Sequence, residues 1–321
     1  MEESIRDFPT QFGYGPKIEY KEKLGTYGHF VLAGMGGSHL PAEIINYARP
    51  DIDLTIHTSY GLPPRSESFP SDTLFIASSY SGNTEEVLDF AEKIFNAKKP
   101  LAIMGSGGKL IEFAQKNTIP YIQFPDMGIQ PRMALGHSTL ALSYLLNDQA
   151  LITEISGLHE KLSSEVWQKS GQELASKLQG KVPVIYSDNA ARNIAAIWKI
   201  KFNETGKIPS FTNVFPELNH NEMSGFDVVQ STRALSEHFA FVFLSDASDH
   251  PQIRRRMDVT KKLYEDKGFG VFQIELRGET LLQKMFNALL LADWTALELS
   301  RFYHTEPEKV VMIENLKRML T

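Results

Sequence analysis

The stretch Leu74-Phe75-Ile76-Ala77-Ser78-Ser79-Tyr80-Ser81-Gly82-Asn83-Thr84-Glu85-Glu86 decides how the rest of this chain is read. The apolar run at 74–77 has the length and composition of a buried β-strand. Val87-Leu88-Asp89-Phe90-Ala91, which follows, has helical spacing. Hydroxyl and amide side chains are therefore concentrated in a strand-to-helix turn, with Gly82 allowing the backbone to bend. A helix N-terminus presents unpaired N–H groups and the positive end of the macrodipole, which suits a phosphate. Asn83, three residues before Glu86, is read as the helix cap.

Working outward, the same rhythm recurs. Strands are expected at 29–33, 53–57, 73–78, 100–104 and 119–124, with helices beginning at Pro41, at 84–96 and at 134–146. The second half repeats it: strands at 182–186, 239–244 and 270–276, and helices at about 190–205, 253–267 and 280–303. Strands alternating with helices at this spacing predict an α/β fold, with doubly wound parallel sheets in two tandem units. The predicted division is a domain over 1–150, a helical connection over 151–178 and a second domain over 179–321.

Composition narrows the function classes. The chain has 321 residues, a net charge of -6 and no cysteine. No disulfide, thiolate metal site or cysteine nucleophile is possible. Arg254-Arg255-Arg256 is a short, isolated basic cluster, so no nucleic-acid partner is expected. No apolar stretch approaches the roughly 18 residues that span a bilayer, and the acidic start Met1-Glu2-Glu3 does not read as a signal peptide. A cytoplasmic location without membrane contact is expected. The histidines show no paired metal-ligand spacing, and neither metal nor cofactor is expected.

In an open α/β sheet, ligands sit beyond the carboxyl ends of the strands. Three glycine- or serine-rich turns fall there in the first half: Gly34-Met35-Gly36-Gly37-Ser38, the 78–86 run, and Gly105-Ser106-Gly107-Gly108. His39 interrupts a dinucleotide fingerprint, and no Gly-Lys-Ser/Thr marks a nucleotide loop. A single phosphate held by hydroxyls and backbone N–H groups fits better. Arg132, just past Pro131 in a predicted loop, offers a bidentate cation for it.

Gly34-Met35-Gly36-Gly37-Ser38 with Ser79-Tyr80-Ser81-Gly82-Asn83-Thr84-Glu85 resembles the sugar isomerase (SIS) domain. Pro131-Arg132 and Pro216-Glu217-Leu218-Asn219-His220-Asn221-Glu222 extend the resemblance to the bifunctional phosphoglucose/phosphomannose isomerases, over nearly the whole chain. That resemblance implies tandem flavodoxin-like SIS domains and metal-free aldose–ketose isomerisation of a six-carbon sugar phosphate. It also implies a homodimer with active sites at the subunit interface. By motif position, Ser79, Ser81 and Thr84 resemble the phosphate ligands, with Gly36, Gly37, Ser38 and Arg132 lining the site. Glu204 resembles the catalytic base, His220 the ring-opening histidine and Lys317 the basic residue near the carboxyl terminus. The run His39-Leu40-Pro41-Ala42-Glu43 departs from the family pattern.

The residues bear on these roles independently. Glu204 is placed near the apolar arc of its helix and in its last turn, where a carboxylate opposes the macrodipole. A residue that breaks two local rules is a functional candidate. Glu217 and Glu222 are rivals for the base, ranked second. Lys317 falls in the same arc as Val310, Ile313, Leu316 and Leu320, which predicts a lysine on a buried face. The alternative function is a non-catalytic SIS-domain regulatory protein that binds a sugar phosphate.

Overall fold

The computed structural model describes residues 1–64 and 66–320 and divides into two compact units. The first is Asp7–Leu162; the second combines Met1–Arg6 with Ser163–Thr321.

A short helix α1 (Glu2–Arg6) belongs with the second unit. The first unit then runs β1 (Ile18–Glu19), β2 (His29–Ala33), α2 (Leu40–Ala48), β3 (Asp53–His57), β4 (Thr73–Ser78), α3 (Glu85–Asn96), β5 (Leu101–Gly105), α4 (Gly108–Asn117), β6 (Tyr121–Gln123), α5 (Leu135–Leu146) and α6 (Gln149–Lys161). Its sheet has the order β1-β6-β5-β4-β2-β3, parallel throughout except for the β1–β6 pair. All six residues of β4 are buried, as a central strand covered on both faces requires. The buried residues of α3 are Val87, Phe90, Ala91 and Ile94, the i, i+3, i+4, i+7 stripe of an amphipathic helix. That stripe shares a core with Val31, Phe75 and Ile103 of the sheet and with Leu110, Ile111 and Ala114 of α4.

The second unit contains α7 (Gln168–Leu178), β7 (Val182–Asp188), α8 (Arg192–Glu204), β8 (Phe211–Phe215), α9 (Arg233–Ser236), β9 (Phe239–Ser245), α10 (Pro251–Asp266), β10 (Gly270–Glu275), α11 (Leu281–Phe302) and α12 (Val311–Leu320). Its four strands are all parallel, in the order β10-β9-β7-β8. One face of the sheet is aromatic: Tyr186, Phe215, Phe241, Phe243, Tyr264 and Phe269 form a single cluster. Tyr186 stacks on Phe243 at 5.5 Å between centroids, and Phe215 meets Phe243 edge-on at 5.4 Å. The long helix α11 is buried along most of its length and packs against α7. Gly171 permits that approach, because a Cβ there would lie 2.5 Å from the Trp294 Cβ.

The strand β8 and the helix α4 lie outside the expected elements, and the first residue of α4, Gly108, also closes the glycine-rich turn at 105–108. Lys317 also departs from expectation. No residue of α12 is buried, and Leu316 and Met319 are 57% and 85% exposed within the chain. The apolar arc that Lys317 shares is therefore a surface stripe rather than a core contact.

Candidate functional site

In the first unit the three turns meet at the carboxyl ends of β2, β4 and β5. The Ser78 hydroxyl donates to the carbonyl of Ser38 at 2.8 Å, and the Tyr80 N–H donates to the Ser38 hydroxyl at 2.9 Å. Ser38 thus joins the first turn to the second. Gly36, at φ +53, takes the left-handed conformation that glycine adopts without penalty. Gly37 is needed for contact: a Cβ there would lie 2.9 Å from the backbone carbon of Pro131. That contact brings in Arg132, whose side chain is 2% exposed, in the 3-10 turn Pro131–Met133 rather than a solvated loop. Gln11 holds the next turn by donating to the Met133 carbonyl and accepting from the N–H groups of Gly136 and His137.

The second turn is bound as closely to the third. Gly82 has φ +66, and a Cβ on it would lie 1.7 Å from the carbonyl oxygen of Gly107. Ser106 donates its N–H and its hydroxyl to the Tyr80 carbonyl, and Leu110 N–H donates to the Gly82 carbonyl. The hydroxyls of the buried Ser79 and of Thr84 bond each other at 2.9 Å. Ser81 accepts from the Asn83 N–H at 3.3 Å. The cap of α3 is Thr84, not Asn83, and its side chain makes no capping bond to the helix. Asn83 instead accepts from the Lys109 N–H, because the adjoining turn lies within its reach. The hydroxyls of Ser79 and Thr84 thus stand beside the first turn of α3, as an anion-binding turn requires.

His39, which follows Ser38, is held below the ordinary histidine pKa by desolvation, which favours its neutral form. His137 is pushed down to about 4 by burial, and its ring meets Tyr14 edge-on at 5.0 Å.

In the second unit Glu204 is the last residue of α8, half-buried. Its carbonyl accepts from the Lys207 ammonium at 2.6 Å, and the same ammonium also donates to the Lys309 carbonyl. The turn bearing Glu204 is therefore stapled to the backbone two residues ahead of α12, the helix that carries Lys317. His220 ends the 3-10 turn Glu217–His220. The neighbouring carboxylates have structural partners. Glu222 accepts from the Tyr186 hydroxyl and from Asn213, while Glu217 accepts from Asn221 at 2.8 Å. Burial, with Tyr264 and Glu222 nearby, raises the Tyr186 hydroxyl far above its ordinary value, so it stays a donor.

The structure does not bring Glu204 and His220 together within one chain. From β7 the connection through α8 leads to β8 on one side, and the connection from β8 returns past β7 to β9 on the other. Right-handed crossovers place these two connections on opposite faces of the sheet. Leu218, Met223 and Phe226 of the second connection accordingly pack with Tyr186, Phe241 and Tyr264 on the aromatic face. Moreover, α8 runs back along the strands, so Glu204 lies near their amino ends, whereas His220 follows the carboxyl end of β8. Among the described residues no group of three or more His, Asp or Glu is placed to hold a metal ion. No helix there is long and apolar enough to cross a membrane.

Two parallel α/β units, the first with a serine-rich strand-to-helix turn against two glycine-rich turns, define the SIS class of α/β proteins. Residues 168–320 match the bacterial phospho-glucose isomerase C-terminal SIS domain. The fold is similar to tagatose-6-phosphate ketose/aldose isomerase from Escherichia coli, with a TM-score of 0.71 and 15% identity over 95% of this chain and 93% of that one. Full-length similarity is more specific. The bifunctional phosphoglucose/phosphomannose isomerase of Caldicellulosiruptor bescii is 34% identical over 100% of this chain and 98% of its own length. The corresponding protein of Aquifex aeolicus is also 34% identical, over 98% of this chain and 97% of its own. The chain belongs to the bifunctional phosphoglucose/phosphomannose isomerase family.

Proposed function

We propose that the chain is an aldose–ketose isomerase that interconverts glucose 6-phosphate, and mannose 6-phosphate, with fructose 6-phosphate without a metal or cofactor. The observation that carries the reading is the joined set of turns at Gly36–Ser38, Ser79–Thr84 and the buried Arg132. It offers hydroxyls, backbone N–H groups and a cation to one phosphate. The relatives' names supply the reaction class.

Phosphate gripping is assigned to Gly36, Gly37, Ser38, Ser79, Ser81, Thr84 and Arg132, and the chemistry to the second unit. His220 assists ring opening by moving a proton between the ring oxygen and the C1 hydroxyl of glucose or mannose 6-phosphate, or the C2 hydroxyl of fructose 6-phosphate. Glu204 takes the proton from C2 of the open-chain aldose, leaving a cis-enediol(ate), and returns it to C1 while the hydroxyl proton on O2 passes to O1, which gives the ketose; the reverse path uses the same steps. Lys317 stabilises the oxygen charge that develops between them.

Placement of Glu204 and His220 on opposite faces of one sheet favours a homodimer in which each site takes Glu204 from one copy and His220 from the other. Localisation in the cytoplasm fits a free sugar-phosphate substrate. The test of the base is Glu204→Gln. Turnover of fructose 6-phosphate should fall by at least ~10²-fold, the lower range for general base catalysis, while calorimetric binding of the sugar phosphate is retained. Near wild-type turnover would overturn the assignment.

A further inference from the structure

The interior of the second unit holds an ion pair that the proposed chemistry does not use. Lys201 Nζ lies 2.7 Å from Asp293 Oδ1 and 2.8 Å from Oδ2. Both side chains are buried, at 1% and 2% exposure. Lys201 sits on α8 and Asp293 at the middle of α11, and both are flanked by large apolar neighbours: Trp198 and Phe202 on one helix, Trp294 and Leu297 on the other. Burying two charges costs desolvation that an apolar pair of similar volume would avoid. Such a pair is therefore weak as a source of stability. What it does supply is direction: one hydrogen bond to Oδ2 and a close ion-pair contact with Oδ1 of the same carboxylate set the rotation and the axial position of α8 against α11.

That setting has a consequence one turn further on. The Lys201 carbonyl accepts from the N–H of Thr205 at 2.9 Å and of Gly206 at 3.1 Å, and the Phe202 carbonyl accepts from Ile208 at 3.3 Å. The residues after Glu204 thus hang from Lys201 and its neighbour. Thr205 is itself fully buried, and Gly206 lies so close to Phe202 that a Cβ would be 2.8 Å from its carbonyl oxygen. Glu204 is three residues from Lys201 and ends the same helix. Its Cα cannot shift without moving a turn whose inner side is locked to α11.

We infer that the Lys201–Asp293 pair is a positioning device for the base: it fixes the terminal turn of α8 so that the Glu204 carboxylate is held where proton transfer needs it. The inference rests on the reading of Glu204 as that base. A misplacement of about 1 Å in a reacting group can cost on the order of 10²-fold in rate, so the effect belongs in kcat rather than in substrate binding.

The test compares full-length wild type, Lys201→Met/Asp293→Leu, Lys201→Arg and Glu204→Gln, each assayed for unfolding in urea and for kcat and KM with fructose 6-phosphate. The double variant should remain folded with a KM within about twofold of wild type and, with active molecules counted from the folded fraction in the urea curve, a kcat at least ~10-fold lower per folded molecule. If it does not fold, Lys201→Arg carries the test. The longer head keeps the charge but moves the contact, so it should fold, keep KM and lose at least about threefold in kcat. Wild-type kcat in the double variant, or in Lys201→Arg when the double does not fold, overturns the inference provided Glu204→Gln is inactive. An active Glu204→Gln would instead remove the base assignment on which it rests.

Discussion

Replacing Gly82 by alanine puts a single methyl group where the proposed phosphate turn leaves no room. The residue sits at φ +66, and a left-handed conformation costs an L-residue about 1–2 kcal/mol. The added Cβ would stand 1.7 Å from the Gly107 oxygen, about half an ordinary contact distance. Backbone faces backbone here, so no side chain can swing aside. The turns at 79–84 and 105–108 must separate by well over 1 Å. That strains the bonds joining them, from Leu110 N–H to the Gly82 carbonyl and from Ser106 to the Tyr80 carbonyl, each worth about 1 kcal/mol net. Together these terms predict a loss of about 4 kcal/mol in the first unit. Urea denaturation would read the loss, and calorimetry with fructose 6-phosphate should show binding weakened at least tenfold. A variant within about 0.5 kcal/mol of wild type that still binds normally would refute the steric argument.

Other perturbations separate the remaining contributions. Ser79→Ala removes a hydroxyl bonded to Thr84, and KM should rise about tenfold with kcat little changed; a fall in kcat alone would argue against a phosphate role. Tyr186→Phe deprives the Glu222 carboxylate of a buried donor and should cost about 2 kcal/mol in urea unfolding, and an unchanged midpoint would show that the bond contributes nothing net. His137, pushed down to about 4 by burial, takes up its proton less readily when folded than unfolded. Its contribution to stability is complete above pH ~6.5 and is lost as the pH falls towards 4, by about 2 kcal/mol after partial screening. His137→Leu should flatten that acid limb, and an equally steep limb in the variant would assign it elsewhere. Asp249 has the opposite sign. Burial, with Asp188 and Asp246 nearby, pushes it up to about 6, so its ionisation lowers stability as the pH rises through 6. Asp249→Asn should therefore raise the melting temperature at pH 8 and leave it nearly unchanged at pH 4.

The strands that carry the sheets were legible because β2, β4, β7 and β9 are nearly continuous apolar runs, as strands covered on both faces must be. The strand β8 was not. Phe211-Thr212-Asn213-Val214-Phe215 lies at an edge, only its last residue is buried, and no apolar run marks it. The helix α4 went unread because its first residue closes a glycine-rich turn, although Leu110, Ile111 and Ala114 already have helical spacing. At the candidate site, the hydroxyls stood out as a local cluster in sequence. The burial of Arg132 did not, since it depends on Gly37, far away along the chain. Likewise Asn83 reads locally as a cap, while in the fold its side chain reaches Lys109. The apolar arc of α12 predicted burial from periodicity alone, which reports that a face is apolar and not what covers it. The separation of Glu204 from His220 was out of reach for the same kind of reason: it follows from the directions of two crossovers.

That separation leads to the most direct test of the proposed catalytic arrangement. Glu204→Gln and His220→Ala chains should each be inactive as pure proteins. Unfolded together in equal amounts and refolded, they would form mixed dimers in which one site carries both substitutions and the other carries neither. With random pairing, half of the dimers are mixed and half of their sites are intact, so activity should return to about a quarter of the wild-type value. Refolding that restores no activity from two chains that do form mixed dimers would show that Glu204 and His220 do not act across copies, and the proposed arrangement would be wrong.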